Sequence, residues 1–175
     1  MNRFFTPLAL KTFLLGLALC LPLLSNADEG APGFVLPDTD GNMVSLSDYR
    51  GKPVILTFWA TWCPYCKKLH PGLEALQEEY KDDGLVVLAI SFRDKPENLP
   101  QKVIYARGHT FKTLVEGDEV AELYGVKGTP TTFFIHETGK IVGRTHTSDP
   151  NDPILKEGVE ATMVDLEEAL KAAKK

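Results

Sequence analysis

This sequence predicts an α/β fold, a central mixed sheet with helices on both faces and a short N-terminal strand extension. Three patterns carry that prediction. Val54 to Trp59 is an unbroken apolar and β-branched run with one Thr, short and bounded by breakers, as a buried central strand is. An amphipathic helix and a second apolar run, Leu85 to Ser91, follow it. That β–α–β order implies parallel strands. Later, Thr131 to His136 and Ile141 to Arg144 flank the turn Glu137-Thr138-Gly139-Lys140, which makes an antiparallel hairpin. Parallel and antiparallel pairs together give a mixed sheet, and the helices between them cover it.

Taken in order, residues 28–33 read as a loose lead-in. Phe34 to Leu36 forms a short edge strand stopped by Pro37. Asp38 to Asn42 carries turn chemistry, Met43, Val44 and Leu46 suggest a second short strand, and Ser47 caps a turn through Tyr49. After the central strand, Leu69, Leu73, Leu76 and Tyr80 recur at helical spacing, with Gly84 suited to the position just past the helix end. Pro96 to Arg107 looks helical and stops at Gly108. Phe111 to Val115 is short and extended, and Glu119 to Tyr124 makes a further helical turn or two. Residues 125–130 are a loop, and residues 145–153 are polar and turn-rich. A last helix is expected from Gly158 to Ala173, with Met163, Leu166 and Leu170 inward.

The first 27 residues fall outside this scheme. Arg3 and Lys11 precede an apolar run from Phe13 to Leu24, and Ser25-Asn26-Ala27 has small residues where a signal peptidase reads. Cleavage after Ala27 is the expectation, leaving one domain over 28–175. Two alternatives stay open. Residues 8–24 are retained as a membrane anchor, although the run is short of the roughly 20 residues a spanning helix needs. Or lipidation occurs at Cys20, which Leu19 disfavours. With charged residues at 25% and hydrophobic residues at 43%, the chain is an ordinary globular one. Its net charge of −5 and its lack of any Lys/Arg block speak against a nucleic-acid partner.

Beyond residue 27 two cysteines remain, Cys63 and Cys66, three positions apart. Such a pair closes almost no loop and so staples little. Chemistry is the better reason for it. Cys63 follows a buried strand and opens a helix, where the unpaired N–H groups and aligned peptide dipoles favour a thiolate, the reactive form. Pro64 sits where a missing N–H costs nothing. Cys66 lies near one turn on, on the same face. Cys63 is therefore the expected nucleophile and Cys66 the resolving thiol. A zinc half-site is the bland alternative. It wants more ligands, and His70, His109, His136 and His146 form no HxxxH pair.

The segment Phe58-Trp59-Ala60-Thr61-Trp62-Cys63-Pro64-Tyr65-Cys66-Lys67, with Pro71 following and Gly128-Thr129-Pro130-Thr131 downstream, resembles the active-site helix and proline loop of the thioredoxin superfamily. Ala31-Pro32-Gly33-Phe34 and residues 45–54 are similar to the TlpA/ResA branch, exported and often membrane-anchored reductases. The resemblance implies a thioredoxin-like fold over about residues 31–172. It also implies a cis Thr129–Pro130 bond facing the cysteines, with the Thr129 backbone free to pair with a bound peptide. Trp62, Pro64, Tyr65, Thr129 and Pro130 are the expected substrate-binding residues. Two positions depart from the pattern: Thr57 stands where thioredoxins bury an Asp, and Leu69 where the TlpA/ResA branch often has Glu. Both carboxylates that could take the Cys66 proton are missing.

The expected activity is protein thiol–disulfide exchange through Cys63–Cys66, as a reductant. No metal or cofactor beyond that disulfide is needed. The expected partners are client proteins and a membrane electron donor or acceptor; the membrane itself is a partner only if residues 8–24 are retained. A dithiol oxidase and a copper(I) chaperone using Cys63, Cys66 and His146 are the alternatives. A thiol peroxidase is disfavoured, because Pro-x-x-x-Thr-x-x-Cys is absent around Cys63. Trp59 is expected in the core and His70 on the helix surface. Glu116, Asp118, Glu119 and Glu122 are expected on a solvated face.

Overall fold

The computed structural model describes residues 30–165. Within them a five-stranded sheet has the order β5-β4-β3-β6-β7, and a separate two-stranded hairpin, β1-β2, precedes it. The hairpin comprises Val35–Pro37 (β1) and Met43–Ser45 (β2). The sheet comprises Val54–Trp59 (β3), Val86–Ser91 (β4), Lys112–Leu114 (β5), Thr131–Ile135 (β6) and Ile141–Thr145 (β7). β3 pairs parallel with β4 and antiparallel with β6, so the sheet is mixed. The helices are Pro64–Glu79 (α1), Pro100–Tyr105 (α2), Asp118–Leu123 (α3) and Pro153–Ala161 (α4).

Strand periodicity sorts the core into two layers. On one face Val54, Leu56, Phe58, Leu88 and Ile90 pack with Val120, Tyr124 and the hairpin residues Leu36 and Val44. On the other, Ile55, Trp59, Val87 and Ala89 meet α1, α2 and α4 through Leu69, Leu73, Ile104 and Val159. β3 is buried along its whole length because both layers rest on it. The lead-in is anchored too: the Tyr124 hydroxyl donates to the Pro32 carbonyl at 2.7 Å. The hairpin turn is held by Asp38, which Lys112 holds down to a pKa of about 2 through a 3.0 Å ion pair, helped by the Asn42 and Asp40 amides.

Four sequence expectations need correction. The segment 96–107 is not one helix: Leu99 takes a left-handed conformation (φ 45°), because Pro100 disfavours the helical region for the residue before it. The last helix starts earlier and ends sooner, at Pro153 and Ala161, with the Asp152 side chain capping Ile154 N–H. Gly158 is not its start but an interior residue pressed on the Phe134 ring. Met163 is packed inward, while Leu166 and Leu170 lie outside the described residues. Gly84 closes the turn that follows α1 rather than capping the helix, and Ser45, not Ser47, caps the 3₁₀ turn Leu46–Tyr49. The leader, residues 1–27, also lies outside the described residues. Among those described, no helix is long and apolar enough to cross a membrane.

Gly72, inside α1, lies beneath the 145–152 loop. A Cβ there would stand 2.7 Å from Pro150 Cα, a backbone atom with no rotamer to yield. Gly72→Ala is expected to lower the unfolding free energy by about 1–3 kcal/mol, as overpacking does. A thermal or urea melt against the native chain checks it.

Candidate active site

Cys63 is the N-cap of α1. Its backbone is still extended (φ −82°, ψ 110°), and Pro64 occupies the first helical position. Caps are usually side-chain oxygens. Here the Cys66 N–H donates to Cys63 Sγ at 3.1 Å, so the sulfur sits where a helix end favours negative charge. Cys66 is one turn on, its Cα 5.4 Å from that of Cys63, and the two sulfurs form a disulfide. Cys63 keeps 2% of its surface exposed and Cys66 none. An attacking sulfur can therefore approach only the first of the pair.

The Thr129–Pro130 peptide is cis. The Thr129 carbonyl oxygen lies 3.9 Å from Cys63 Sγ, so the proline loop faces the disulfide. Pro130 is buried behind it and Thr129 half-buried. The Thr131 hydroxyl donates to the Gly128 carbonyl at 2.7 Å and stands 3.0 Å from His146 Nδ1, which ties the loop in place. Trp62 and Tyr65 are 56% and 63% exposed beside the pair, and Pro64 is exposed between them. Trp62 is steadied by its indole N–H, which donates to the Arg93 carbonyl at 3.0 Å. The structure thus brings Cys63, Cys66 and Thr129 together and leaves Trp62, Pro64 and Tyr65 on the open rim.

One residue that holds the site was not read from the sequence. Asp94 accepts from Thr61 N–H at 2.9 Å, Thr61 hydroxyl at 2.6 Å, Ser91 hydroxyl at 2.5 Å and Asn98 amide at 3.0 Å. It clamps the loop two residues before Cys63. A separation of 33 positions leaves no local pattern by which to find it. Asp94 also borders a cleft of about 790 Å³ between the hairpin residues Val35 and Met43 and the residues Leu99 and Glu116. The cysteines do not line this cleft. Glu116, Asp118, Glu119 and Glu122 are exposed, as expected.

His70 is the clear correction. It is buried rather than on the surface, and both ring nitrogens lack a hydrogen-bond partner. Its ring stands edge-on to Trp59 (4.8 Å between centroids), Phe111 (5.4 Å) and His109 (5.8 Å). Burial first, then the charges of His109, Arg107 and Lys67, push its pKa down to about 3, so the imidazole is neutral at physiological pH. Thr57 and Leu69 are both buried, and the Thr57 hydroxyl is engaged with that of Thr132 at 3.0 Å. Among the described residues no three His, Cys, Asp or Glu side chains come together to hold a metal.

A dithiol at a helix N-terminus, facing a cis-proline loop on a mixed sheet, defines a thioredoxin-fold thiol–disulfide oxidoreductase. The Cys63 thiolate can attack a substrate disulfide, and Cys66 can resolve the mixed disulfide. Comparison with known proteins agrees. Residues 27–144 match the AhpC/TSA family. The chain is 36% identical over 138 residues to the thiol-disulfide oxidoreductase ResA of Halalkalibacterium halodurans, covering 78% of this chain and 77% of that one. It is 36% identical over 113 residues to ResA of Bacillus subtilis, covering 64% and 63%. A crystal structure from Chlorobium tepidum, described as a thiol:disulfide interchange protein DsbE, superposes with a TM-score of 0.70 at 33% identity, covering 77% of this chain and 95% of that one. The chain belongs to the AhpC/TSA family, in its ResA-like branch of the thioredoxin superfamily.

The depressed His70 pKa has a consequence for stability. Between pH 6.5 and about 3 the unfolded chain binds a proton at His70 that the native chain does not. Stability is then complete above pH 6.5 and falls as the pH drops. His70→Phe removes this loss. Relative to its own value at pH 7, the variant is expected to retain roughly 3 kcal/mol more than the native chain at pH 4. Urea melts at the two pH values check it. Separately, Asp94→Ala strands the Thr61, Ser91 and Asn98 donors. It is expected to cost about 1–3 kcal/mol and to slow thiol exchange, read by urea melts and disulfide reduction.

Proposed function

We propose that this chain is an exported protein-disulfide reductase. Residues 1–27 are a cleaved signal peptide. The domain over 28–175 takes electrons from a membrane donor and passes them to client proteins outside the cytoplasm. It needs no metal and no cofactor beyond the Cys63–Cys66 disulfide. Clients dock against Trp62, Pro64, Tyr65 and the Thr129–Pro130 loop, where the exposed aromatic rim and the Thr129 backbone suit an extended peptide.

The observation that carries the reducing direction is the modest support given to the Cys63 sulfur. It receives the Cys66 N–H, while Lys67 and Lys68 are half-exposed and exposed, where water and salt screen them. The nearby imidazole, His70, is neutral. A thiolate without a buried cation is less stabilised, and a less stabilised reduced form makes the pair a stronger reductant.

Equilibration against a dithiol buffer tests this. The potential is expected nearer the thioredoxin value of about −270 mV than the DsbA value of about −120 mV. A value at the oxidising end would make the chain a dithiol oxidase instead. In cells, Cys66→Ala is expected to hold clients on Cys63 as mixed disulfides, and the exported chain to begin at Asp28. Failure to capture any partner would remove the client reading.

A further inference from the structure

Cys66 must shed a proton before it can resolve a mixed disulfide, and it has no exposed surface through which to give it to bulk water. The two positions at which the resemblance puts carboxylates hold Thr57 and Leu69. The Thr57 hydroxyl, which is not a base, is already paired with Thr132.

Three of the four buried unpartnered side-chain polar atoms among the described residues cluster beside this sulfur's helix. They are Trp59 Nε1 and both ring nitrogens of His70. His70 follows Cys66 by four residues on α1, so the two side chains are neighbours on one face, about 5–6 Å apart at Cβ. Both are buried. A buried imidazole without a hydrogen-bond partner is costly unless it serves something. Its ring is held on edge by Trp59 and Phe111.

We propose that His70 is the buried base that takes the proton of Cys66 during resolution. The proposal rests on the thiol-exchange reading of Cys63 and Cys66. In the mixed disulfide, Cys63 is bonded to the client sulfur and Cys66 carries S–H. A ring nitrogen of His70 accepts that proton. The electron pair left on Cys66 forms the Cys63–Cys66 bond, and the pair of the breaking Cys63–client bond leaves on the client sulfur. The proton then passes from the imidazolium to the client thiolate as the client departs. A weakly basic imidazole releases its proton at once, so His70 relays it and does not store it. The charged and titratable groups around the ring are His109 and Arg107 beyond α2, and Lys67 on α1. Glu74 lies beyond His109, holding Thr110.

Stopped-flow kinetics on the full chain separate the two steps, with a chromophoric disulfide as the substrate. His70→Phe keeps the ring volume and its edge contacts but has no nitrogen. The attack by Cys63 is expected to stay within about twofold of the native rate, while resolution by Cys66 slows at least about a hundredfold at pH 7, the low end of what base catalysis supplies. The slowed step should recover as the pH rises. His70→Gln, which offers a hydrogen-bond acceptor but cannot carry the proton, is expected to stay slow and provides the same test should the Phe variant fold poorly. Resolution at the native rate in both variants overturns the proposal, as does an equal loss in both steps or full rescue by Gln. A native chain that never forms a mixed disulfide would instead overturn the exchange reading itself.

Discussion

One contact organises the molecule: the Cys66 N–H donated to Cys63 Sγ at the first turn of α1. A helix end has more N–H donors than the helix can use, and a sulfur placed there is favoured in its charged form. Everything around it serves to keep that sulfur in place. β3 delivers the chain to the junction from within the sheet. Pro64 starts the helix without wasting a donor. Asp94, reached from the end of β4, takes both the amide and the hydroxyl of Thr61 and so fixes the approach. The Thr129 carbonyl closes the opposite side.

The rigidity of the platform follows from burial on two sides. Successive residues of β3 alternate between an aromatic layer and the layer beneath α1. Phe58 packs with Phe92, Tyr124 and Phe133 on one face, while Trp59 packs with His70 on the other. A one-residue slip of β3 would exchange these layers and move the cysteine loop with them. The register of Thr57 opposite Thr132, with their hydroxyls joined, is one pin against such a slip.

Much of this was legible in the sequence, for a physical reason. β3 and the start of α1 are dictated by local signals, an apolar run and then Cys-Pro, that need no tertiary context. The hairpin β6–β7 is likewise written in its turn. What was hidden depends on long-range packing. Asp94 looks like any loop acid until its four donors are seen. Gly158 reads as a helix boundary, yet it is a glycine that lets α4 approach Phe134. His70 carries a polar label that suggests solvent, but its spacing from Cys66 and Leu73 already put it on the inward face. Polar character and periodicity point opposite ways at this position, and periodicity is the better guide. Leu99 shows the converse: the proline after it marks a helix break inside a stretch whose composition is otherwise helical.

The two cysteines are chemically identical, and a single turn of helix makes them different. Cys63, at the cap, has the helix end behind it and a narrow opening in front. Cys66, one turn deeper, has its backbone N–H committed to its neighbour and apolar side chains around its sulfur. A helix N-terminus favours the charged form of the first sulfur, and burial in an apolar layer favours the neutral thiol form of the second. That inequality sets the order of events: attack by the outer sulfur needs only access, and release by the inner one needs a proton to leave a closed space. The closed, apolar surroundings of Cys66 therefore place the burden of proton transfer on the second step.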